Sequence, residues 1–129
     1  MLKDIRIAII GCGNLGTSIA NGLLEQADFL PHNLHVTKRN PANLLYLQDK
    51  GVRVHSDNLI AAKEADIVIL GVKPYNVSSI LKEIKPALDP KKQIIVSVAT
   101  GITLDEIFQE IDATTVAFRA MPNIAADIR

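Results

Sequence analysis

The chain has 129 residues, of which 48% are hydrophobic and 22% are charged, with 14 acidic and 14 basic side chains. This length and composition predict one globular domain with a core of ordinary size. The even charge and the lack of a long apolar run disfavour proteins that bind nucleic acid, coat a membrane surface or span a bilayer.

Six short apolar runs, rich in β-branched residues, predict β-strands. They occupy residues 5–10, 34–37, 52–55, 67–72, 94–98 and 115–118. The first, fourth and fifth runs are almost continuously apolar, which is typical of parallel strands that are buried on both faces. The predicted sheet is therefore mostly parallel.

Helical patterns fill the segments between these strands. Asn40 followed by Pro41 predicts the start of one helix, which Gly51 ends. Thr103 and Glu106 have the spacing of a capping box, which predicts the start of the last helix. Two further helices are predicted from apolar stripes, at Leu15, Ile19, Ala20, Leu23, Leu24 and Ala27, and at Val77, Ile80, Leu81, Ile84 and Leu88 before Pro90.

The alternation of strands and helices predicts a doubly wound α/β domain of the Rossmann type, a dinucleotide-binding domain over residues 1–129. Right-handed connections favour the strand order 3-2-1-4-5-6. In such sheets, ligands bind beyond the carboxyl ends of the strands, near the point where the strand order reverses. The loops that follow the strands are therefore the predicted binding surface.

The glycine motif directly after the first predicted strand reads Gly11-Cys12-Gly13-Asn14-Leu15-Gly16. Gly11 allows a tight turn, Gly13 lets the backbone approach a pyrophosphate, and Gly16 lets the helix pack close to the sheet. The anion would lie at the helix N-terminus, where unpaired N–H groups and the helix dipole favour negative charge. A purely structural glycine turn is the alternative interpretation.

The loop after the second predicted strand indicates which dinucleotide the chain prefers. NAD-selective domains place an acid there, about 20 residues beyond the glycines, to bond the ribose 2′-hydroxyl. Residues 34–47 contain no acid and offer Thr37, Lys38 and Arg39. Two cations and a hydroxyl suit a 2′-phosphate, which arginine binds through a planar pair of donors. The loop therefore favours NADP(H) over NAD(H), and the alternative is an ordinary solvated basic loop.

Five motifs lie at the carboxyl ends of predicted strands, and they are Gly11-Cys12-Gly13-Asn14-Leu15-Gly16, Thr37-Lys38-Arg39, Val72-Lys73-Pro74, Ser97-Val98-Ala99-Thr100-Gly101-Ile102 and Arg119-Ala120-Met121-Pro122-Asn123. In this order and spacing, the chain resembles the cofactor-binding half of the pyrroline-5-carboxylate reductases. The resemblance implies an NADP-dependent oxidoreductase of proline biosynthesis. Its reaction is hydride transfer from the nicotinamide to the C=N carbon of 1-pyrroline-5-carboxylate, which gives L-proline.

The resemblance also implies cofactor-binding roles for residues of this chain. The pyrophosphate would be held by Gly11, Gly13, Asn14, Leu15 and Gly16, and the 2′-phosphate by Thr37, Lys38 and Arg39. The rest of the cofactor would be contacted by Asn58 at the adenosine, by Val72, Lys73 and Pro74 at the ribose, and by Ala99, Gly101, Met121, Pro122 and Asn123 at the nicotinamide end. No metal and no catalytic side chain of this chain are implied, because a protonated imine is already electrophilic and the cofactor carries most of the chemistry.

Members of that family continue into a second, helical domain that forms a homo-oligomer and holds the substrate. The resemblance thus implies a small-molecule substrate and low activity for this chain alone. The single cysteine favours a cytoplasmic protein, and the even charge predicts neither nucleic acid nor a membrane as a partner. The chain has Ile124 where the family usually has Thr. Two alternatives stay open. One is a related NADP-dependent reductase, such as a β-hydroxyacid dehydrogenase or a deazaflavin-dependent reductase, and the other is a non-catalytic nucleotide-sensing domain.

The remaining reactive side chains belong to no recognisable catalytic or metal-binding motif. Cys12 lies within the glycine motif and is expected to be inert, although a thiol at a helix N-terminus can be activated. His32, His35 and His55 have neither metal-ligand spacing nor a cysteine cluster beside them. They are predicted to be ordinary surface or strand residues.

Overall fold

The computed structural model describes residues 2–120, in which a six-stranded sheet lies between two layers of helices. The strands are β1 (Ile7–Ile10), β2 (Leu34–Thr37), β3 (Arg53–His55), β4 (Ile67–Leu70), β5 (Ile94–Ser97) and β6 (Val116–Arg119). The α-helices are α1 (Asn14–Leu24), α2 (Leu45–Asp49), α3 (Asn58–Glu64), α4 (Val77–Ile84) and α5 (Leu104–Phe108). Short 3₁₀ turns lead into two of these helices, at Pro41–Leu44 before α2 and at Pro74–Asn76 before α4.

Neighbouring strands are parallel throughout the sheet, and their order is β3-β2-β1-β4-β5-β6. In this register, Ile7 of β1 lies opposite Leu34 of β2 on one side and Ile67 of β4 on the other. The predicted fold class and strand order are confirmed. Because the order reverses between β1 and β4, the loops after these two strands lie at the switch point.

Side chains of β1 alternate between the two faces of the sheet and enter two separate core clusters. Ala8 and Ile10 belong to the cluster under α3, α4 and α5, whereas Ile7 and Ile9 belong to the cluster under α1 and α2. All four side chains are buried. Burial on both faces explains why the first apolar run is continuous in the sequence.

Local hydrogen bonds start two helical segments where the sequence predicted them. Asn40 Oδ1 accepts a 3.3 Å bond from Ala42 N at the turn before α2. Thr103 and Glu106 form the predicted capping box, in which Glu106 N donates to Thr103 Oγ1 at 3.1 Å. Gly51 follows α2 with φ +97°, a conformation that glycine adopts without steric cost.

Two helices are shorter than the apolar stripes predicted. α1 ends before Ala27. α4 ends at Ile84 instead of continuing to Leu88, and Lys85–Ala87 forms a 3₁₀ turn. Pro86 explains this end, because proline has no N–H to donate within a helix and its ring crowds the preceding turn.

β1 begins two residues later than predicted because Arg6 is bonded to Asp66 outside the strand ladder. Arg6 N donates to Asp66 Oδ2 at 2.9 Å, and Asp66 N donates to Arg6 O at 2.7 Å. The Arg6 guanidinium also lies 3.5 Å from Asp66 Oδ1 and 3.8 Å from Glu64 Oε2. These bonds hold the amino ends of β1 and β4 side by side.

A buried amide connects the end of α3 to the start of β5. Gln93 is only 3% exposed, and its Nε2 donates to Ala62 O at 2.6 Å and to Ala65 O at 2.9 Å. Its Oε1 accepts a 2.8 Å bond from Asp89 N. The last carbonyls of a helix lack partners within that helix. Gln93 thus gives Ala65 O a donor and adds a second donor to Ala62 O, which also accepts from Ala65 N at 3.2 Å.

Candidate functional site

The glycine loop, residues 11–16, follows β1 and lies between the loops that follow β2 and β4. Gly11 has φ +77°, in the left-handed region that residues with a side chain rarely adopt. A Cβ at Gly11 would also lie 3.1 Å from both Cα and N of Val72. Gly11 is therefore required for the turn and for the close contact with the loop after β4.

Gly16 is closely packed against the sheet, whereas Gly13 has open space beside it. A Cβ at Gly16 would lie 3.0 Å from Cγ2 of Ile9 and 3.4 Å from Sγ of Cys12, so this glycine lets α1 pack directly on β1. A Cβ at Gly13 would meet no atom of the described chain within 4 Å. The space beside Gly13 is therefore not taken up by packing and is open to a ligand.

α1 begins directly beside this open space. Its N-cap residue is Gly13, so no side chain caps the helix, and its first turn carries no acidic side chain. The first N–H groups of a helix have no partners within it, and the helix dipole adds positive potential there. Together, Gly13 and the uncapped first turn of Asn14, Leu15 and Gly16 fit the pyrophosphate of a dinucleotide.

Thr37, the last residue of β2, bonds to the glycine loop twice. Its Oγ1 accepts a 3.0 Å bond from Gly11 N, and its carbonyl accepts a 2.6 Å bond from Cys12 N. The residue is only 1% exposed. The sequence predicted Thr37 as a ligand of the 2′-phosphate, whereas the structure places its hydroxyl beneath the loop and shields it from solvent.

Lys38 and Arg39 follow Thr37 and lie at the same edge of the sheet. Lys38 is half-buried, and Arg39 is exposed. Within residues 2–120, Arg39 forms no ion pair, so its planar donors face no competing carboxylate. The two cations are placed beside the glycine loop, and their contact with a 2′-phosphate stays a prediction.

Asn58 lies at the start of α3, directly after the N-cap residue Asp57. Its Nδ2 donates toward the Glu83 carboxylate of α4, at 3.3 Å from Oε1 and 3.4 Å from Oε2. The amide of Asn58 thus joins two helices at their surface. Its predicted contact with the adenosine stays a prediction.

The loop after β4 packs against the glycine loop. Gly71 N donates to Ile10 O at 2.8 Å, and a Cβ at Gly71 would lie 3.0 Å from Gly11 O. Gly71 was not among the residues predicted from the sequence, although a glycine within an apolar run signals close approach of another backbone. Lys73 has the extended conformation expected before proline, and both Lys73 and Pro74 are exposed.

Ser97 shapes the loop after β5. Its Oγ accepts a 3.3 Å bond from Ala99 N, and its carbonyl accepts a 2.8 Å bond from Ala120 N. Ala99 is buried in the core, whereas Gly101 is exposed and has φ +81°. Three further predicted cofactor contacts lie outside the described residues, and they are Met121, Pro122 and Asn123.

The thiol of Cys12 is fully buried beneath the glycine loop. Burial raises its pKa, and the hydroxyl of Thr17 and the charge of Lys38 oppose this shift only in part. A thiol with a raised pKa is protonated at neutral pH and reacts slowly. The structure therefore agrees with the prediction that Cys12 is inert.

Residues 2–120 contain no group of three His, Cys, Asp or Glu side chains arranged to hold a metal ion. They also contain no helix with the length and apolar character that crossing a bilayer requires. At the carboxyl edge, the described chain instead offers backbone N–H groups and the cations of Lys38 and Arg39. These are the donors that proteins use to bind phosphate.

Residues 6–101, from β1 to the loop after β5, match the model of the family described as NADP oxidoreductase coenzyme F420-dependent. The chain belongs to this family. The match includes the glycine loop and the loops after β2, β4 and β5.

Individual relatives agree with the resemblance that the motifs predicted. Pyrroline-5-carboxylate reductase 2 of Dictyostelium discoideum is 41% identical over 122 residues, which are 92% of this chain and 40% of that protein. A solved pyrroline-5-carboxylate reductase from Coxiella burnetii has a TM-score of 0.89 and 31% identity, over 96% of this chain and 46% of that one. A solved Plasmodium falciparum pyrroline carboxylate reductase with NADP bound, at 22% identity and a TM-score of 0.83, shares the fold over 95% of this chain and 44% of its own.

The predicted resemblance to the pyrroline-5-carboxylate reductases is confirmed by these matches. The chain spans less than half the length of the relatives described above.

Proposed function

We propose that this chain is the NADPH-binding half of a pyrroline-5-carboxylate reductase, which acts on a C=N bond and reduces 1-pyrroline-5-carboxylate to L-proline in proline biosynthesis. The open space beside Gly13, at the uncapped N-terminus of α1, carries the proposal. It is the place where a helix receives a pyrophosphate. The identity of 41% to a reductase of this name supports the substrate.

NADP(H) is the preferred cofactor in this proposal, over NAD(H). Lys38 and Arg39 follow β2, where NAD-selective domains carry an acid, and residues 34–47 contain no acid. Arg39 is exposed and has no ion pair within residues 2–120. The Plasmodium falciparum reductase, which shares the fold, holds NADP.

When bound, the cofactor supplies a hydride from its nicotinamide ring. The chain holds the pyrophosphate at the first turn of α1 and holds the 2′-phosphate with Lys38 and Arg39. The loop of Val72, Lys73 and Pro74 would contact the ribose, and the loop after β5 would contact the nicotinamide. Because a protonated imine is already electrophilic, placing the ring against it is the main contribution of the protein.

The proposal extends to the rest of the enzyme. The Dictyostelium relative is more than twice as long as the segment it shares with this chain. We propose that residues 1–129 are one cofactor domain, and that a second, helical domain holds the small-molecule substrate and forms a homo-oligomer. The enzyme is cytoplasmic in this proposal, which the single cysteine and the small-molecule chemistry support.

Calorimetric titration of this chain with NADPH and, separately, with NADH tests the cofactor. We expect tighter binding of NADPH, and we expect Arg39→Ala to lower its affinity to about that of NADH. Lys91→Ala, which removes an exposed cation elsewhere, is the matched control and leaves both affinities unchanged. Equal affinities would contradict the preference for NADP(H), and binding of neither dinucleotide would contradict the cofactor role.

The substrate is tested on the full-length enzyme that contains this domain. We expect NADPH consumption, followed by its absorbance, when 1-pyrroline-5-carboxylate is supplied, and formation of L-proline. A β-hydroxyacid in the reverse direction serves as the comparison, since related NADP-dependent reductases are the alternative. Turnover of that substrate alone would contradict the proposed reaction.

A further inference from the structure

Thr37 is bonded to the glycine loop and buried beneath it, which is not expected of a residue that binds an external phosphate. Its hydroxyl and its carbonyl accept bonds from two successive loop amides, Gly11 N at 3.0 Å and Cys12 N at 2.6 Å. The residue is 1% exposed, so the hydroxyl is covered by the loop that it holds. A ligand of an external phosphate has to reach the surface, and Thr37 does not.

The loop is also held from its other side. Gly71 N donates to Ile10 O at 2.8 Å, and the backbone of Val72 lies so close that a Cβ on Gly11 would be 3.1 Å from its Cα. The end of β2 and the loop after β4 therefore support the glycine loop from opposite sides. On the β2 side, the hydroxyl of Thr37 is the side-chain group that bonds to a loop amide.

We propose that Thr37 is a positioning residue for the dinucleotide, whose hydroxyl fixes the glycine loop in the conformation that receives the pyrophosphate, and that it does not bind the 2′-phosphate. This inference rests on the proposed function, in which the chain binds NADPH. Lys38 and Arg39 follow Thr37 directly, so the same residue sets the spacing between the pyrophosphate site and the 2′-phosphate site.

The two possible roles of Thr37, as a positioning residue and as a ligand of the 2′-phosphate, predict different losses of dinucleotide affinity when its hydroxyl is removed. NADPH and NADH share the pyrophosphate, so a residue that positions the glycine loop affects both affinities by the same factor. A ligand of the 2′-phosphate affects NADPH alone, because NADH lacks that group. The ratio of the two affinities therefore separates a positioning residue from a ligand.

Thr37→Val is the informative variant, since valine keeps the shape of threonine and the bond from Cys12 N to the backbone carbonyl. It leaves Gly11 N without its acceptor. We expect both dinucleotides to bind roughly five- to tenfold more weakly, as the loss of one hydrogen bond implies, with their ratio unchanged. Thr37→Ser keeps the hydroxyl and restores binding to within about twofold. Arg39→Ala, by contrast, weakens NADPH alone.

Amide hydrogen exchange gives a readout that needs no ligand. The Gly11 amide is expected to exchange faster in Thr37→Val than in the wild type and in Thr37→Ser, because its acceptor is lost. Urea unfolding of each variant shows that the fold is retained. If Thr37→Val does not fold, Thr37→Ala removes the same hydroxyl without adding a methyl group in its place.

Each outcome decides the inference. A loss confined to NADPH would show that Thr37 is a ligand of the 2′-phosphate and would overturn the positioning role. Unchanged affinities for both dinucleotides in a folded Thr37→Val would overturn it as well. If the wild-type chain binds neither dinucleotide, the proposed function fails together with the inference, whereas a normal wild type with an unaffected variant refutes the inference alone.

Discussion

His35 and His55 join two neighbouring strands through one hydrogen bond, with Nδ1 of His35 lying 2.9 Å from Nε2 of His55. The rings are 6° from parallel, and their centroids are 5.2 Å apart, a separation that fits two coplanar rings meeting edge to edge. Such a bond needs one protonated and one unprotonated nitrogen. The pair therefore cannot carry a proton on both of the atoms that meet.

This pair makes the stability of the domain depend on pH. Burial, followed by the charges of His55 and Arg53, lowers the pKa of His35 from 6.5 to about 4, while Glu64 raises it and Arg6 lowers it to a smaller extent. Burial and Arg53 also lower the pKa of His55, opposed by Asp57. The unfolded chain therefore binds more protons than the folded chain below pH 6.5.

We expect the free energy of unfolding to be highest above about pH 6.5, where both histidines are neutral in the folded and the unfolded chain. It is expected to fall as the pH is lowered toward about 4. His35→Leu is expected to flatten this dependence, because it removes the buried imidazole. His32→Leu, at an exposed position, is the matched control. The measurement is urea unfolding at closely spaced pH values, and an unchanged slope in His35→Leu would mean that another group causes the loss.

Replacing Gly16 by alanine is expected to lower stability, whereas replacing Gly13 by alanine is expected to lower the affinity for NADPH. Gly16→Ala forces a Cβ to within 3.0 Å of Ile9 and is expected to reduce stability by about 1–3 kcal/mol. Gly13→Ala meets no described atom within 4 Å, so its stability is expected to change by less than about 1 kcal/mol. Its NADPH affinity is expected to fall about tenfold, because the new methyl group fills the proposed pyrophosphate space.

Thermal unfolding and calorimetric titration of the two variants check this prediction. Gly22→Ala serves as the control, since Gly22 lies in α1 with open space around it and alanine favours a helix by up to about 1 kcal/mol. Normal NADPH binding by Gly13→Ala would show that the pyrophosphate lies elsewhere.

Gln93→Leu is expected to destabilise the domain by about 2–4 kcal/mol. The substitution keeps the apolar part of the side chain but leaves Ala65 O and Asp89 N without the partner that the structure shows, and it leaves Ala62 O with the bond from Ala65 N alone. Urea unfolding gives the difference. The control is Gln48→Leu on the exposed face of α2, where a change within about 0.5 kcal/mol is expected, and equal effects at the two positions would refute the role of the buried amide.

Cys12 is the single cysteine of the chain, so thiol labelling reports on one position. Its complete burial and raised pKa predict slow reaction with Ellman's reagent in the native protein. We expect the reaction in urea to be on the order of 100-fold faster, because unfolding exposes the thiol and restores its ordinary pKa. Equally fast labelling of the native protein would show that the glycine loop opens readily.

The strand order was predictable because the apolar runs and the intervening helices are separated cleanly in the sequence. The continuous runs that became β1, β4 and β5 indicated strands buried on both faces, and these three strands pair side by side. The ends of the helices were harder to predict from the sequence. The stripe through Leu88 is regular, yet the backbone restriction at Pro86 ends α4 at Ile84.

The contacts of Thr37 and the pairing of the histidines depend on register, which the sequence pattern did not contain. Thr37 lies opposite His55, and His35 lies opposite Arg53. The alignment of β2 with β3 brings the two imidazoles together. The separate alignment of β1 with β2, in which Ile9 lies opposite Val36, brings the Thr37 hydroxyl to Gly11 N. The local sequence pattern thus predicted which loops form the site. The role of an individual side chain could be assigned only once the register of the paired strands was known.

The position of β1 in the middle of the sheet has a consequence for how the domain is made. The glycine loop follows the first strand of the chain, but Gly71 and Val72 support it from a part that is synthesised much later. The bond between Arg6 and Asp66 spans 60 residues, and closing so long a segment costs chain entropy before any contact forms. The glycine loop is thus synthesised early but reaches its folded conformation only after Gly71 and Val72 have been made. A dinucleotide that binds only this folded conformation would stabilise the folded state of the nascent domain.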